Sequence, residues 1–163
     1  MKAQLDARRA FSLVDRLEIR ATRYHRSNDQ MGRAWITFDK REVVDFCDHR
    51  FDVEIYPLAH DIRTVSDSDA RDAHDQARAI LSGQGHFARW HFIAACERFL
   101  GLSIEAALQS EDPLIRALAV IDRRLGKRRL VSLARGAKFE NPIMRTLLEL
   151  RCEVEGIAGP VVA

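Results

Sequence analysis

Hydrophobic and polar residues alternate in one part of the chain, and this period of two constrains the fold more than any other feature. Residues 19–24 and 34–38 carry the alternation, and residues 43–47 form a third run that is β-branched and aromatic. Such runs are typical of half-buried strands. The links between them are short, a polar loop over residues 26–32 and a tight turn over residues 39–41. The sequence therefore predicts a small antiparallel meander of three strands.

The stretch that follows the third run fits two structures. Residues 51–57 also alternate, which favours a fourth strand, but they also fit the entry to a short helix over residues 58–62. Before the meander, apolar residues at three-to-four spacing between Leu5 and Leu17 predict an opening helix.

From residue 66 onward the signals are helical, with N-cap residues at the predicted starts and glycines at the predicted ends. The predicted starts are 66–69, Ser103, Asp112-Pro113 and Asn141-Pro142, and the predicted stops are 82–85, Gly101, Gly126 and Gly156. Residues 87–99 are apolar on two sides, so this helix should be the central one. The fold class is α+β, with the meander packed on a C-terminal helical bundle.

Composition limits the class of protein. The chain has 163 residues, 47% of them hydrophobic and 31% charged, which suits one domain with a buried core. We expect an N-terminal helix plus meander in residues 1–62, a helical part in 66–156 and a tail in 157–163. No apolar run is long enough to cross a bilayer, so we expect no membrane contact.

Cysteine usage and the N-terminus bear on location. Cys47, Cys96 and Cys152 lie about fifty residues apart, whereas metal-binding knuckles need pairs two to four residues apart. We interpret them as buried thiols in a reducing compartment. The first residues have no apolar core after their charges, which is unlike a signal peptide. The expected location is the cytoplasm.

The net charge of +2 conceals strongly segregated blocks. Residues 1–41 hold ten basic and five acidic groups, residues 42–76 hold three and ten, and residues 112–138 hold eight and two. Two interpretations fit this pattern. The acidic middle either neutralises the basic blocks within the fold, or the blocks form separate surfaces with separate partners.

Motifs for nucleotide and nucleophile chemistry are not found. The sequence has no GxSxG elbow, no SxxK and no HExxH, and Gly83 and Gly85 follow a predicted helix rather than a strand. The six histidines are isolated or badly spaced for sharing a metal on one helix face. We expect no cofactor and no metal, and enzyme activity is not favoured.

The loop between the first two strands is the first candidate site. Its binding candidates are Arg23, Tyr24, Arg26, Arg33 and Trp35. An arginine fork can bind phosphate, and either aromatic can stack a base. A hydrolytic site is a further interpretation, with His25 as base and Asp29, Glu42, Asp45 or His49 supplying metal ligands. A solvated hairpin loop whose charges pair locally is the structural alternative.

A cluster of cations near residues 116–129 is the second candidate site. Its members are Arg116, Arg123, Arg124, Lys127, Arg128 and Arg129. Cations on two short helices joined by glycine can grip a phosphodiester backbone or an acidic protein. Against this, the acidic middle can neutralise them, and a helix C-terminus already favours cations.

Several runs resemble a family of small uncharacterised bacterial proteins. They are TRY at 22–24 with Asp29, GRAWIT at 32–37, LSIEAAL at 102–108, IRALA at 115–119 and DRRLGKRRL at 122–130. The resemblance covers most of residues 5–135, and it implies no activity and no catalytic residue. Members tend to carry Asp-Gly-Lys at the hairpin turn, whereas this chain has Asp39-Lys40-Arg41.

Two hypotheses for function follow. The first is a cytoplasmic binding or regulatory module that contacts nucleic acid or an acidic protein through the basic helices, with the loop as a second contact. The second is a metal-dependent hydrolase or nuclease built on the loop and its neighbouring carboxylates. A binder needs a continuous positive surface, whereas the enzyme needs converging ligands.

Overall fold

The computed structural model describes residues 1–24, 31–67, 69–136 and 141–158. Its elements in chain order are α1 (Lys2–Arg8), a 3-10 helix (Phe11–Leu13), β1 (Leu17–Arg23), β2 (Gly32–Phe38), β3 (Arg41–Cys47), α2 (Asp48–Ser66), α3 (Ala70–Gly83), α4 (Arg89–Leu100), α5 (Ile104–Leu108), α6 (Pro113–Ile121), α7 (Lys127–Gly136) and α8 (Pro142–Glu155). This confirms the α+β class.

The three strands form the predicted meander, with order β1-β2-β3 and antiparallel pairing throughout. Asp39 and Lys40 connect β2 to β3, and both have positive φ, 48° and 66°. Positive φ at both central residues is the signature of a type I′ turn. The turn therefore adopts the usual hairpin geometry without the glycine that would favour it.

One face of the sheet is buried and the other is open. Ile36 and Phe46 point into the main core, where the Phe46 ring stacks on Phe92 of α4 with 4.2 Å between ring centroids. Helices α6 and α8 pack behind α4 in the same core. The opposite face carries Arg33, Trp35 and their neighbours, so the sheet displays these two candidate residues on its outer side.

The stretch with two interpretations is helical, and α2 runs through it without a fourth strand. Phe51 and Ile55, four residues apart, are buried together, whereas Val53 between them is 58% exposed. This is the burial pattern of a helix. Because α2 packs mainly on α3, it belongs with the helical part of the chain rather than with the meander.

The prediction of one opening helix between Leu5 and Leu17 is wrong. Helix α1 ends at Arg8, because the next residues pair with the end of α6: Arg9 bridges to Asp122, and the Ala10 N–H donates to the Ile121 carbonyl at 2.9 Å. The chain then forms the short 3-10 helix, which places Phe11 on the surface.

The predicted N-caps are confirmed where a side chain can be checked. Asp112 accepts a hydrogen bond from the Leu114 N–H at 2.8 Å, and Asn141 accepts one from the Ile143 N–H at 3.0 Å. Helix α6 nevertheless ends at Ile121, before the predicted stop at Gly126, since Asp122 turns the chain.

Candidate functional site

Four cations lie close together at the junction of α6 and α7, and we call them the basic patch: Arg123, Lys127, Arg128 and Arg129. All four are exposed. Three of them occupy the first turn of α7, which contains no acidic residue. Cations are disfavoured at a helix N-terminus because the backbone dipole is positive there. The junction therefore concentrates positive potential that an anion would relieve.

Arg124 lies in the same sequence run but has a structural environment. Its guanidinium contacts the carboxylate of Asp122 at 2.8 Å and donates to the Leu102 carbonyl at 2.9 Å. The Asp122 side chain is fully buried and also accepts the Arg124 backbone N–H at 2.7 Å. This pair closes the turn after α6, so the Arg124 donors are engaged inside the molecule.

Arg116 is half-buried on α6, and its Nε is enclosed with no partner among the described residues. It lies outside the exposed set that forms the basic patch.

The acidic middle of the chain does not neutralise the basic patch. Within the described residues, the patch makes two polar side-chain contacts: Arg129 with Glu105 at 2.5 Å, and the Lys127 ammonium with the Glu155 main-chain carbonyl at 2.8 Å. Glu105 and Arg129 are both more than half exposed, and such pairs contribute little. Among the described residues, the patch is thus not paired with the carboxylates of residues 42–76.

Carboxylates of residues 42–76 pair instead with nearby arginines. Arg33 on β2 binds both Glu42 and Asp45 on β3, and Arg50 binds Asp45 from the first turn of α2. The hydrogen bond with Asp45 raises the pKa of Arg33 above its usual value. The acidic middle of the chain therefore neutralises Arg33 within the fold, but it does not pair with the basic patch.

The loop candidates separate into three groups. His25, Arg26 and Asp29 lie outside the described residues. Arg23 and Tyr24 are exposed at the end of β1. Arg33 lies over the Trp35 ring, 5.2 Å from its centroid, while held by two carboxylates. Two of its three nitrogens, Nε and Nη2, therefore already donate to protein carboxylates.

Glu42 and Asp45, the carboxylates of the hydrolase hypothesis, act as partners of Arg33 in the structure. His49 is exposed in the first turn of α2. Among residues 1–24, 31–67, 69–136 and 141–158, no three His, Cys, Asp or Glu side chains converge in a geometry that would hold a metal ion.

A small polar cleft lies where β3 meets α2. His86 Nδ1 is 2.7 Å from Glu54 Oε2 at its rim, and Cys47 and Arg50 also line it. The cleft has a volume of about 30 Å³, roughly the space of one water molecule.

Sequence reasoning missed the residue that anchors the base of the loop. The buried carboxylate of Asp48 accepts hydrogen bonds from the Gly32 N–H at 2.8 Å, Arg89 Nε at 3.1 Å and the Trp90 N–H at 3.3 Å. It joins β2 to the starts of α2 and α4. An acidic residue in a helix first turn is a common signal, so nothing in the sequence distinguishes Asp48 from exposed carboxylates.

A family model described as the SF0329 protein family matches residues 1–152. The chain belongs to the SF0329 protein family. The match covers the meander and the basic patch and extends into α8. It is consistent with the resemblance to an uncharacterised family, so membership supplies no residue roles and the function has to be argued from the site. No curated protein and no solved structure is significantly similar to the chain.

Within the described ranges, no helix of this SF0329 member is both long enough and apolar enough to span a membrane.

Proposed function

We propose that this protein is a nucleic-acid-binding module whose basic patch contacts backbone phosphates. The observation that carries the proposal is the exposure of Arg123, Lys127, Arg128 and Arg129 on one junction, without pairing to the acidic middle of the chain. The three cysteines are unpaired thiols, which supports a reducing compartment such as the cytoplasm.

Nucleic acid fits this junction better than an acidic protein because of charge density. Duplex DNA carries one phosphate per about 1.7 Å of its axis, so neighbouring cations within one helical turn can each find a phosphate. Three of the four side chains are arginines, whose planar forks match phosphate oxygens. An acidic protein surface rarely offers such regular anions.

The proposal predicts a steep dependence of binding on salt. If all four cations contact phosphates of a duplex, the logarithm of the binding constant falls by about 3.6 per decade of salt. Affinity then drops about 150-fold between 50 and 200 mM salt. Removing Lys127, Arg128 and Arg129 leaves one contact, and the drop over the same range shrinks to about 3- to 4-fold.

The test is fluorescence anisotropy of a labelled 20-nucleotide DNA, single-stranded and duplex, titrated with the full chain. The test variant is Lys127→Ala/Arg128→Ala/Arg129→Ala. The matched control is Arg41→Ala/Arg63→Ala/Arg71→Ala, which removes the same charge from exposed positions elsewhere. We expect weakened binding and a reduced salt slope in the test variant alone.

Two results would overturn the proposal. One is equal weakening by the control variant, which would show that only total charge matters. The other is displacement of the DNA by polyglutamate at the same charge concentration as by unlabelled DNA, which would assign the patch to acidic proteins.

A further inference from the structure

A phenylalanine lies beside the basic patch with most of its surface in solvent. Phe11 is 80% exposed, and the Arg123 guanidinium carbon is 5.8 Å from the centre of its ring. One exposed apolar residue alone would need no explanation. An exposed aromatic ring in contact with a cation of the patch is a more specific arrangement, because stacking rings and cations together bind single-stranded nucleic acids.

The backbone holds Phe11 firmly against this junction. On its N-terminal side, the Arg123 N–H donates to the Arg8 carbonyl at 2.7 Å, and the Ala10 N–H donates to α6. On its C-terminal side, Ser12 Oγ donates to Glu155 Oε1 at 2.6 Å. Lys127 bonds the main-chain carbonyl of the same Glu155. Phe11 therefore belongs to the surface that carries the patch.

Glu155, a carboxylate next to this surface, is paired within the fold. Glu155 pairs with the guanidinium of Arg151, with 3.1 Å between Nη2 and Oε1, besides accepting the Ser12 hydroxyl. The Arg151 side chain is buried, so the pair is shielded from water and salt. The charge of Glu155 is therefore largely offset before a phosphate approaches Lys127 and Arg123, and Glu105 remains as the exposed partner of Arg129.

We propose that the Phe11 ring stacks on an unpaired base, so that the ligand of the basic patch is single-stranded nucleic acid. This inference rests on the proposed function and names its substrate class. Arg123 contacts the Phe11 ring, while most of the surface of Phe11 remains open to a ligand. A base in a single strand can turn its face to the ring, whereas a base inside a duplex is already stacked on its neighbours.

The proposal predicts how much binding affinity is lost when the Phe11 ring is removed. Removing one aromatic stacking partner weakens single-strand binding by about 5- to 150-fold. Because Phe11 makes no phosphate contact, its replacement leaves the salt slope unchanged. The patch variant does the opposite and lowers the slope, so the two contributions can be separated in one set of titrations.

The experiment compares a single-stranded 12-nucleotide DNA with the duplex of the same sequence, using the full chain and the variants Phe11→Ala, Phe11→Leu and Phe11→Trp. We expect Phe11→Ala and Phe11→Leu to weaken single-strand binding by at least 5-fold, duplex binding to change by less than 2-fold, and Phe11→Trp to retain affinity. A strand containing 2-aminopurine should lose fluorescence with the unmodified protein and not with Phe11→Ala. Circular dichroism of each variant checks the fold.

Three outcomes overturn the inference while leaving the proposed function intact: single-strand binding unchanged in Phe11→Ala, binding by Phe11→Leu equal to that of the unmodified protein, or equal loss for strand and duplex. The second would indicate a simple apolar contact. If neither DNA binds the unmodified protein, the proposed function itself fails.

Discussion

Replacing Asp48 by alanine is expected to destabilise the fold strongly, because this buried carboxylate joins three elements of the fold. The Asp48 side chain is 8% exposed and accepts three hydrogen bonds, from the Gly32 N–H, Arg89 Nε and the Trp90 N–H. These donors come from β2 and α4, while Asp48 itself begins α2. One carboxylate therefore ties three elements together below the loop.

The magnitude follows from what remains after truncation. Arg89 is also largely buried, and removing one member of a buried ion pair costs about 3–5 kcal/mol because the other charge is left without compensation. Two backbone N–H groups lose their acceptor at the same time, which adds to the penalty where water cannot reach them. A domain has about 5–15 kcal/mol of stability in total, so the loss is a large fraction.

The assay is urea unfolding of Asp48→Ala, Arg89→Ala and the double variant, followed by circular dichroism. We expect the double variant to lose less free energy of unfolding than the sum of the single losses, by more than about 1 kcal/mol, because it leaves no uncompensated charge. The control is Asp61→Ala, an exposed carboxylate in the same helix, which should change stability by less than about 0.5 kcal/mol.

The reasoning fails if Asp48→Ala unfolds within about 1 kcal/mol of the unmodified protein, the range of ordinary surface substitutions. Additive losses in the double variant would equally refute it, since they would show that Asp48 and Arg89 do not compensate each other.

Two further predictions concern pH and the hairpin. Burial lowers the pKa of His91 to about 4 in the folded protein, whereas an unfolded histidine has a pKa of about 6.5. Stability is therefore full above about pH 6.5, where His91 is neutral in both states. As the pH falls to 4, the unfolded state binds the proton more readily, and up to about 3 kcal/mol of the free energy of unfolding is lost. Urea midpoints of His91→Gln should therefore depend less on pH between 7 and 4, and parallel curves would contradict this. Lys40 has a φ of 66°, a backbone conformation that costs a side-chain-bearing residue energy but not glycine. In urea unfolding, Lys40→Gly should therefore stabilise the protein by about 1 kcal/mol, whereas Lys40→Ala should not. Equal urea midpoints for the two variants would refute strain at this turn.

Local chemistry explains what could be predicted from the sequence. The caps at Asp112 and Asn141 depend on residues two positions away, and both form as expected. The three strands likewise follow from alternation within five or six residues. These features need no information about distant parts of the chain, which is why the meander and most helix starts were predictable.

Tertiary pairing explains what could not be predicted. Alternation over residues 51–57 resembles a strand, yet packing against α3 selects a helix in which Phe51 and Ile55 are buried. The opening helix is broken by backbone hydrogen bonds with Ile121 and Arg123, more than a hundred residues away. Neither partner can be identified from periodicity, because both interactions join segments that are remote in sequence.

The same distinction applies to the candidate site. The sequence located the cations of residues 116–129 but did not show that Asp122 engages Arg124, or that Arg33 is held by Glu42 and Asp45. Charge counts record how many cations a segment has. Only the contacts show which of them remain available to a ligand.

The two candidate surfaces lie at opposite ends of β1. The basic patch borders the strand's first residue through Arg9, which bridges to Asp122 and donates to the Leu17 carbonyl. Arg23 and Tyr24 lie at the other end, and a seven-residue strand separates the two ends by about 20 Å. A single small anion cannot contact both surfaces. A ligand that contacts both surfaces has to span this distance, and a nucleic acid strand, with about 3.4 Å between phosphates along a helix, spans it within roughly six nucleotides.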